Sequence, residues 1–145
     1  MKKKEERRYR IINRNGFTLI ELLVVMVILA MLAALVGPRL FTNVGKGKQS
    51  AAKTQIEMLG QALDSFRLDV GRYPNTSEGL KALEADPGAP GWAGPYLKKA
   101  LPVDPWKNPY QYQFPGTHGE YDLYSNGADS APGGEGENKD VTSWE

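Results

Sequence analysis

The sequence predicts an α+β protein in which one long N-terminal helix, hydrophobic in its first half and amphipathic in its second, packs on a small C-terminal antiparallel β-sheet with ordered loops. Three observations predict it. From Phe17 to Val36, twenty residues carry only two polar side chains, Thr18 and Glu21, which as a helix would cover about 30 Å and cross a bilayer's hydrocarbon core. Further on, Ala52, Ile56, Leu59, Leu63, Phe66 and Val70 recur every three or four residues, while Lys53, Glu57, Gln61, Asp64, Arg67 and Asp69 lie mostly off that stripe, the pattern of a helix with one buried face. Finally, residues 110–114 and 120–124 alternate with period two on either side of Pro115-Gly116-Thr117-His118-Gly119, a hairpin signal.

The chain opens on a basic leader, residues 1–16, with Lys2, Lys3, Lys4, Arg7, Arg8, Arg10 and Arg14 against Glu5 and Glu6. Setting those seven basic and two acidic residues apart from the totals of 18 and 17 leaves 11 basic against 15 acidic. That balance excludes a polybasic nucleic-acid surface, and the leader's charge reads instead as a cytoplasmic retention signal. Everything after the apolar run is then expected on the far side of the membrane. The run exceeds the roughly 7 to 15 residues of a signal-peptide core, and no small-x-small cleavage site follows it before Gly37-Pro38.

Within the run, Glu21 calls for an explanation, because an ionised carboxylate in lipid costs several kcal/mol unless it meets a partner. Gly37-Pro38 predicts a kink or local melting of the helix. The amphipathic half, about residues 39–70, ends where Gly71 and Pro74 signal a C-terminus. Residues 71–109 read as a Pro/Gly-rich but ordered loop, since Trp92, Tyr96, Leu97, Leu101, Val103 and Trp106 gain by burial. Within it Thr76 or Ser77 caps a short helix that buries Leu80 and Leu83. The hairpin, about residues 110–124, supplies the apolar face that the helix needs, and His118 reads as a solvent-exposed turn residue.

Residues 125–145 bring Asp129, Glu135, Glu137 and Asp140 into a glycine-rich stretch with amide and carbonyl oxygens close by. Hard oxygen ligands in a loop suit calcium. The spacing is not that of an EF-hand, and chemistry alone favours a solvated acidic tail over a metal site. Cysteine is absent, so neither disulfides nor thiolate sites are available.

Gly16-Phe17-Thr18-Leu19-Ile20-Glu21 resembles the N-terminal processing motif of type IV pilins and of the pseudopilins of type II secretion. The resemblance implies the type IV pilin-like fold, cleavage between Gly16 and Phe17 by a prepilin peptidase, N-methylation of the new Phe17 amine, and retention of the hydrophobic helix, residues 17–36. It also implies an assembly role in which Glu21 neutralises the Phe17 amine of a neighbouring subunit. Tyr124-Ser125-Asn126-Gly127-Ala128-Asp129, Asp140-Val141 and Trp144 are similar to the C-terminal calcium loop of the major, G-type pseudopilins, as are Gly71-Arg72-Tyr73-Pro74, residues 101–106 and Asn108-Pro109-Tyr110.

Carried over by position, Asp129 and Asp140 are side-chain calcium ligands and Asn126 a backbone-carbonyl ligand, with Glu135 and Glu137 facing solvent. Ser130 and Val141 depart from the subfamily's usual Gly and Ile. A calcium clamp would replace the disulfide with which pilins proper commonly close this region.

The implied function is that of a structural subunit. It is held in the bacterial inner membrane by one span, N-terminus cytoplasmic and residues 37–145 periplasmic, and polymerises as a homo-oligomeric helical pseudopilus that supports export of folded proteins. The implied partners are the peptidase, an inner-membrane assembly platform, minor pseudopilins and, before assembly, membrane lipid. The alternative is a type IV pilus subunit for adhesion or motility, against which the missing cysteine pair and the calcium-type loop speak. An anchored enzyme is disfavoured, because no nucleophile-base pair, phosphate loop or convergent acid-base constellation is present.

Overall fold

The structure, a computed structural model, describes residues 16–145, which form two compact units, one up to Pro38 and one from Arg39 onward. The leader expected over residues 1–16 lies outside the described residues except for Gly16. Helix α1 spans Leu19–Val70 and, among the described residues, is the one helix long and apolar enough to cross a membrane. It remains helical through Pro38, so the local melting expected at Gly37-Pro38 does not occur. A proline withdraws a single N–H, and the turns on either side keep theirs.

In the first unit every large apolar side chain from Phe17 to Val36 is exposed, between 47% at Val24 and 88% at Phe17. In the second unit the amphipathic half of α1 buries Ala52, Ile56, Leu59, Leu63 and Phe66 as its stripe predicts. Leu80, Leu83, Tyr73, Tyr110 and Leu123 complete that core, with Val70, Trp92, Tyr96, Leu97 and Tyr112 packed on its edge. Full burial of a Leu or Phe is worth about 1.5–3 kcal/mol, so this stripe holds the sheet and loops to the helix.

The helix stops at Val70 because Gly71 turns left-handed (φ +83°) and its N–H donates to the Arg67 carbonyl at 2.8 Å, a glycine C-terminal stop. A single 3-10 segment, Gly79–Leu83, follows and buries Leu80 and Leu83. Its approach is not organised by Thr76 or Ser77 as expected. Asn75 Oδ1 accepts from the Glu78 N–H at 2.8 Å while Glu78 Oε2 accepts from the Asn75 N–H at 2.8 Å, a reciprocal pair one residue earlier in the chain. Thr76 is diverted to the hairpin, where its hydroxyl donates to the Phe114 carbonyl and accepts from the Phe114 N–H.

The loop at residues 71–109 is ordered by its rings. Trp92 Nε1 donates to the Ala82 carbonyl at 2.8 Å, and Tyr96 packs edge-on against both Phe66 and Trp92. Val103, expected among the anchors, is 52% exposed instead; Asp104 beside it is the buried residue, held by polar contacts.

The sheet is antiparallel in the order β1 (Gln111–Gln113), β2 (Asp122–Ser125), β3 (Val141–Thr142). Tyr112 pairs with Leu123 in the hairpin, and Tyr124 and Ser125 pair with Thr142 and Val141. Strand β3 departs from the expectation of loop over residues 125–145: two residues are too few for any periodicity to be read.

The hairpin turn is built on Asp122, which is 3% exposed. Its carboxylate accepts from the N–H and hydroxyl of Thr117 and the N–H of His118, with His118 Nδ1 at 3.0 Å. His118 is half-exposed as expected, yet it is not a free turn residue, since its ring also stacks on Trp144 at 4.1 Å. Burial pushes the Asp122 pKa up, but the hydrogen bonds from Thr117 and His118 outweigh it and hold the group well below the usual carboxylate range.

Because the folded pKa lies below the unfolded one, this carboxylate contributes its full stabilisation above about pH 4 and loses it as the pH falls through the folded value. Asp122→Asn is expected to lower stability at neutral pH by about 1–3 kcal/mol and to flatten the acid limb. Urea unfolding of the chain in detergent across a pH series measures both; an acid limb as steep as the parent's would contradict the assignment.

Candidate functional site

Two regions carry the candidate residues. In the first, Gly16 and Phe17 precede the helix and are exposed. Thr18 takes the N-cap position and Glu21 stands three residues on. Glu21 Oε2 accepts from the Thr18 N–H at 2.9 Å and the Thr18 hydroxyl at 3.0 Å, while the Glu21 N–H donates to the Thr18 hydroxyl oxygen at 3.2 Å. This is a capping box, and Thr18-x-x-Glu21 is its sequence signature. Glu21 is therefore not the lone carboxylate that its apolar surroundings suggest. One oxygen is satisfied within the chain, and Oε1 keeps its lone pairs free of any partner among the described residues.

The second region is the C-terminal loop, where two one-turn 3-10 segments, Gly127–Asp129 and Gly136–Asn138, lie between β2 and β3. Ser125 pairs with Val141, so one step further along that register Asn126 stands opposite Asp140. Asp140 Oδ2 accepts from the Gly133 N–H at 2.9 Å, which folds the glycine stretch back onto it. Asp129 is exposed and accepts from the Ala131 N–H of its own turn. The β2–β3 register thus sets Asn126 next to Asp140, while Asp129 lies in the exposed turn that follows Gly127.

Three oxygens here are buried without any hydrogen-bond partner: Asn126 Oδ1, Asp140 Oδ1 and Thr142 Oγ1. Leaving such a group unpaired costs about 1–3 kcal/mol each. A hard cation that accepts six to eight oxygens would satisfy them. No three His, Cys, Asp or Glu side chains converge among the described residues, so carbonyl, amide and hydroxyl oxygens would make up most of any ligand set.

Two networks hold this loop, and neither was foreseen. In one, buried Asp104 accepts from the Ser125 hydroxyl at 2.5 Å and from the N–H groups of Trp106 and Asn108, while Ser125 Oγ accepts from the Gly127 N–H. In the other, Glu137, expected in solvent, reaches α1. Its Oε2 accepts from Trp106 Nε1 at 3.1 Å and lies 3.3 Å from Lys48 Nζ. The Trp106 hydrogen bond, reinforced by Lys48, lowers the pKa of Glu137. Gln49 Nε2 donates to the carbonyls of Gly136 and Lys139. Glu135 faces solvent as expected.

The approach of Glu137 depends on Gly45, which is buried; a Cβ there would stand 2.6 Å from Glu137 Cγ. Gly45 is the signal that a sequence reading can use, because a glycine inside a helix costs about 1 kcal/mol against alanine and needs a packing reason.

Two family models match this chain. Residues 39–144 match the model for type II secretion system protein G, and residues 12–37 match the prokaryotic N-terminal methylation motif. The chain belongs to the type II secretion system protein G family.

Among its relatives, the type II secretion system core protein G of Pseudomonas aeruginosa is 49% identical over 137 residues, covering 91% of this chain and 96% of the relative. That of Vibrio cholerae is 45% identical, covering 90% and 92%. The crystal structure of the major pseudopilin from the type 2 secretion system of enterohaemorrhagic Escherichia coli is similar at a TM-score of 0.60 and 33% identity, over 70% of this chain and 87% of that one. The fold is therefore that of a pseudopilin, and these likenesses favour the secretion reading over the adhesive pilus.

Gly45→Ala is expected to be about 1–2 kcal/mol more unfavourable in the parent than in a Glu137→Ala background, where the obstructing side chain is gone. A double-mutant cycle from thermal unfolding gives that coupling; a value near zero would mean that the loop does not bear on α1 through this contact.

Proposed function

We propose that this chain is the major pseudopilin subunit, which waits in the inner membrane by one span and then polymerises into a periplasmic fibre that supports protein export. The observation that carries the reading is the first half of α1. Its large apolar side chains are uncovered along the whole length, and one carboxylate, Glu21, stands at its start. Such a surface needs lipid before assembly and other helices after it, and the membrane's loss of the helix is offset only if the fibre core is equally apolar.

Cleavage between Gly16 and Phe17 frees an amine four positions before the carboxylate of Glu21, and N-methylation of Phe17 keeps that amine cationic. Glu21 Oε1, without a partner among the described residues, is the acceptor for the Phe17 amine of a neighbour, and the pair fixes axial register because a wrong register buries a charge alone. Glu21→Ala in the full chain is expected to abolish fibre formation and secretion while leaving membrane insertion intact. Fibres at the parent level, counted by shearing and immunoblotting, would rule out the register role.

We further infer a calcium site formed by Asp140, Asp129 and the Asn126 carbonyl, with the partnerless Asn126 and Thr142 side-chain oxygens as additional donors. Calcium would supply what a disulfide supplies elsewhere, a restraint that ties β2 to β3. At a free concentration a hundred times its dissociation constant it adds about 2.7 kcal/mol to folding. Thermal unfolding is expected to show a lower midpoint for the parent in EGTA and an Asp140→Ala midpoint that no longer responds to calcium. An identical parent midpoint in calcium and EGTA removes the site.

A further inference from the structure

We propose that the Asn126–Gly127 peptide is a self-modification site: when the C-terminal loop opens, the Gly127 nitrogen attacks the Asn126 side chain and converts it irreversibly to aspartate or isoaspartate, a reaction that the closed loop withholds. The loop's own geometry carries this, whether or not an ion is bound in it.

The chemistry needs an asparagine followed by a residue whose backbone can close on it. The Gly127 amide nitrogen adds to Asn126 Cγ, the side-chain nitrogen leaves as ammonia, and a cyclic imide forms. Water then opens the imide at one carbonyl or the other, giving aspartate or isoaspartate. Glycine favours ring closure because no Cβ restricts its backbone. Over residues 17–145 Asn126 is the only asparagine followed by glycine, and the other such pair, Asn15-Gly16, lies in the leader.

No other residue fits at position 127. Gly127 is buried at φ +66°, and a Cβ on it would stand 2.7 Å from the Glu137 carbonyl oxygen and 2.9 Å from that of Asn138. The close approach of the two 3-10 segments therefore demands the residue that makes cyclisation easiest, and protection has to come from conformation. Asn126 has ψ +20°, which turns the Gly127 nitrogen away from the Asn126 Cβ, whereas the ring needs both on one side of the Cα–C bond.

Two hydrogen bonds keep the peptide turned that way. The Gly127 N–H donates to Ser125 Oγ at 3.1 Å, and Asn108 Nδ2 donates to the Gly127 carbonyl at 3.2 Å. The Asn126 Oδ1 has no hydrogen-bond partner, so rotation of the peptide is the step that the closed loop blocks. Isoaspartate lengthens the backbone by one carbon just after β2. The pairing of Ser125 with Val141 then no longer sets residue 126 beside Asp140, and the loop cannot close again in its register. A head whose loop has opened is thereby marked in one direction only.

The experiment incubates the full chain in detergent at mildly alkaline pH, folded or unfolded in urea. Mass spectrometry follows the tryptic peptide 108–139, bounded by Lys107 and Lys139, and isoaspartyl methyltransferase counts the isoaspartate. Deamidation at Asn126 is expected in urea and at least about tenfold more slowly in the folded chain, where only the opened fraction reacts. Ser125→Ala and Asn108→Ala each remove one hydrogen bond from Gly127 and are expected to speed the folded-state reaction about two- to tenfold, with the rate in urea unchanged.

A folded chain that deamidates as fast as the unfolded one overturns the proposal, as does an unfolded chain that forms no isoaspartate at residue 126. Folded variants that react no faster than the parent overturn it as well. If Ser125→Ala does not fold, Asn108→Ala decides alone.

Discussion

The interaction on which the rest depends is one that the isolated chain leaves incomplete. From Phe17 to Val36 the large apolar side chains are exposed among the described residues, an area far beyond the apolar patch that a soluble monomer tolerates. The only polar feature there is the Thr18–Glu21 box, which satisfies donors at the first turn and leaves a carboxylate oxygen in reserve. Lipid satisfies the apolar surface and ignores the oxygen. A bundle of like helices satisfies both, provided that a cation arrives at the right height. On the proposed reading, the preference for the fibre over the bilayer would reside in Glu21, since the hydrophobic term is nearly the same in either surrounding.

The head answers a different demand. It is small and without cysteine, and it buries one helical stripe under three short strands and a wandering loop. Backbone that is neither helix nor ladder has to find its hydrogen bonds elsewhere, and here side chains supply them: Asp122 for the hairpin turn, Asp104 for the bend at residues 104–108, Glu78 and Asn75 for the approach to the 3-10 segment. These acids act as internal acceptors in place of regular structure. The same logic fails in one spot, the C-terminal loop, where Asn126, Asp140 and Thr142 keep buried oxygens without donors. A fold that satisfies its backbone so thoroughly elsewhere leaves that concentration of acceptors as the chemical argument for a cation.

Much of this was legible in the chain. The helix stripe from Ala52 to Phe66, its stop at Gly71, the hairpin and the processing motif follow from period, glycine and spacing, because each is a local property. What escaped depends on contacts far apart in sequence. Asp104 and Ser125 are 21 residues apart, Lys48 and Glu137 are 89, and neither pair has a periodicity to betray it. Val103 and Asp104 exchanged their expected places because a loop has no face by which hydrophobicity alone can assign burial. Thr18-x-x-Glu21 was legible as a capping box and was eclipsed by the apolar run around it. Asp129 and Asp140 could be picked out as candidate ligands, but the orphaned oxygens of Asn126 and Thr142 exist only once β3 has paired with β2.

The coupling between loop and helix gives these separate solutions a common consequence. Glu137 lies over Gly45 and holds Lys48 and Trp106, and it sits three residues before Asp140. The inferred ion, by holding Asp140 and Asn126, would also bear on where Glu137 meets α1. Lys48 is neutralised while this contact holds and becomes a free cation when it opens. The charge presented by the first turns of the head thus follows the state of a loop near the other end of the chain. Loop position and helix charge are thereby set by one contact, Glu137 over Gly45 with Lys48 and Trp106.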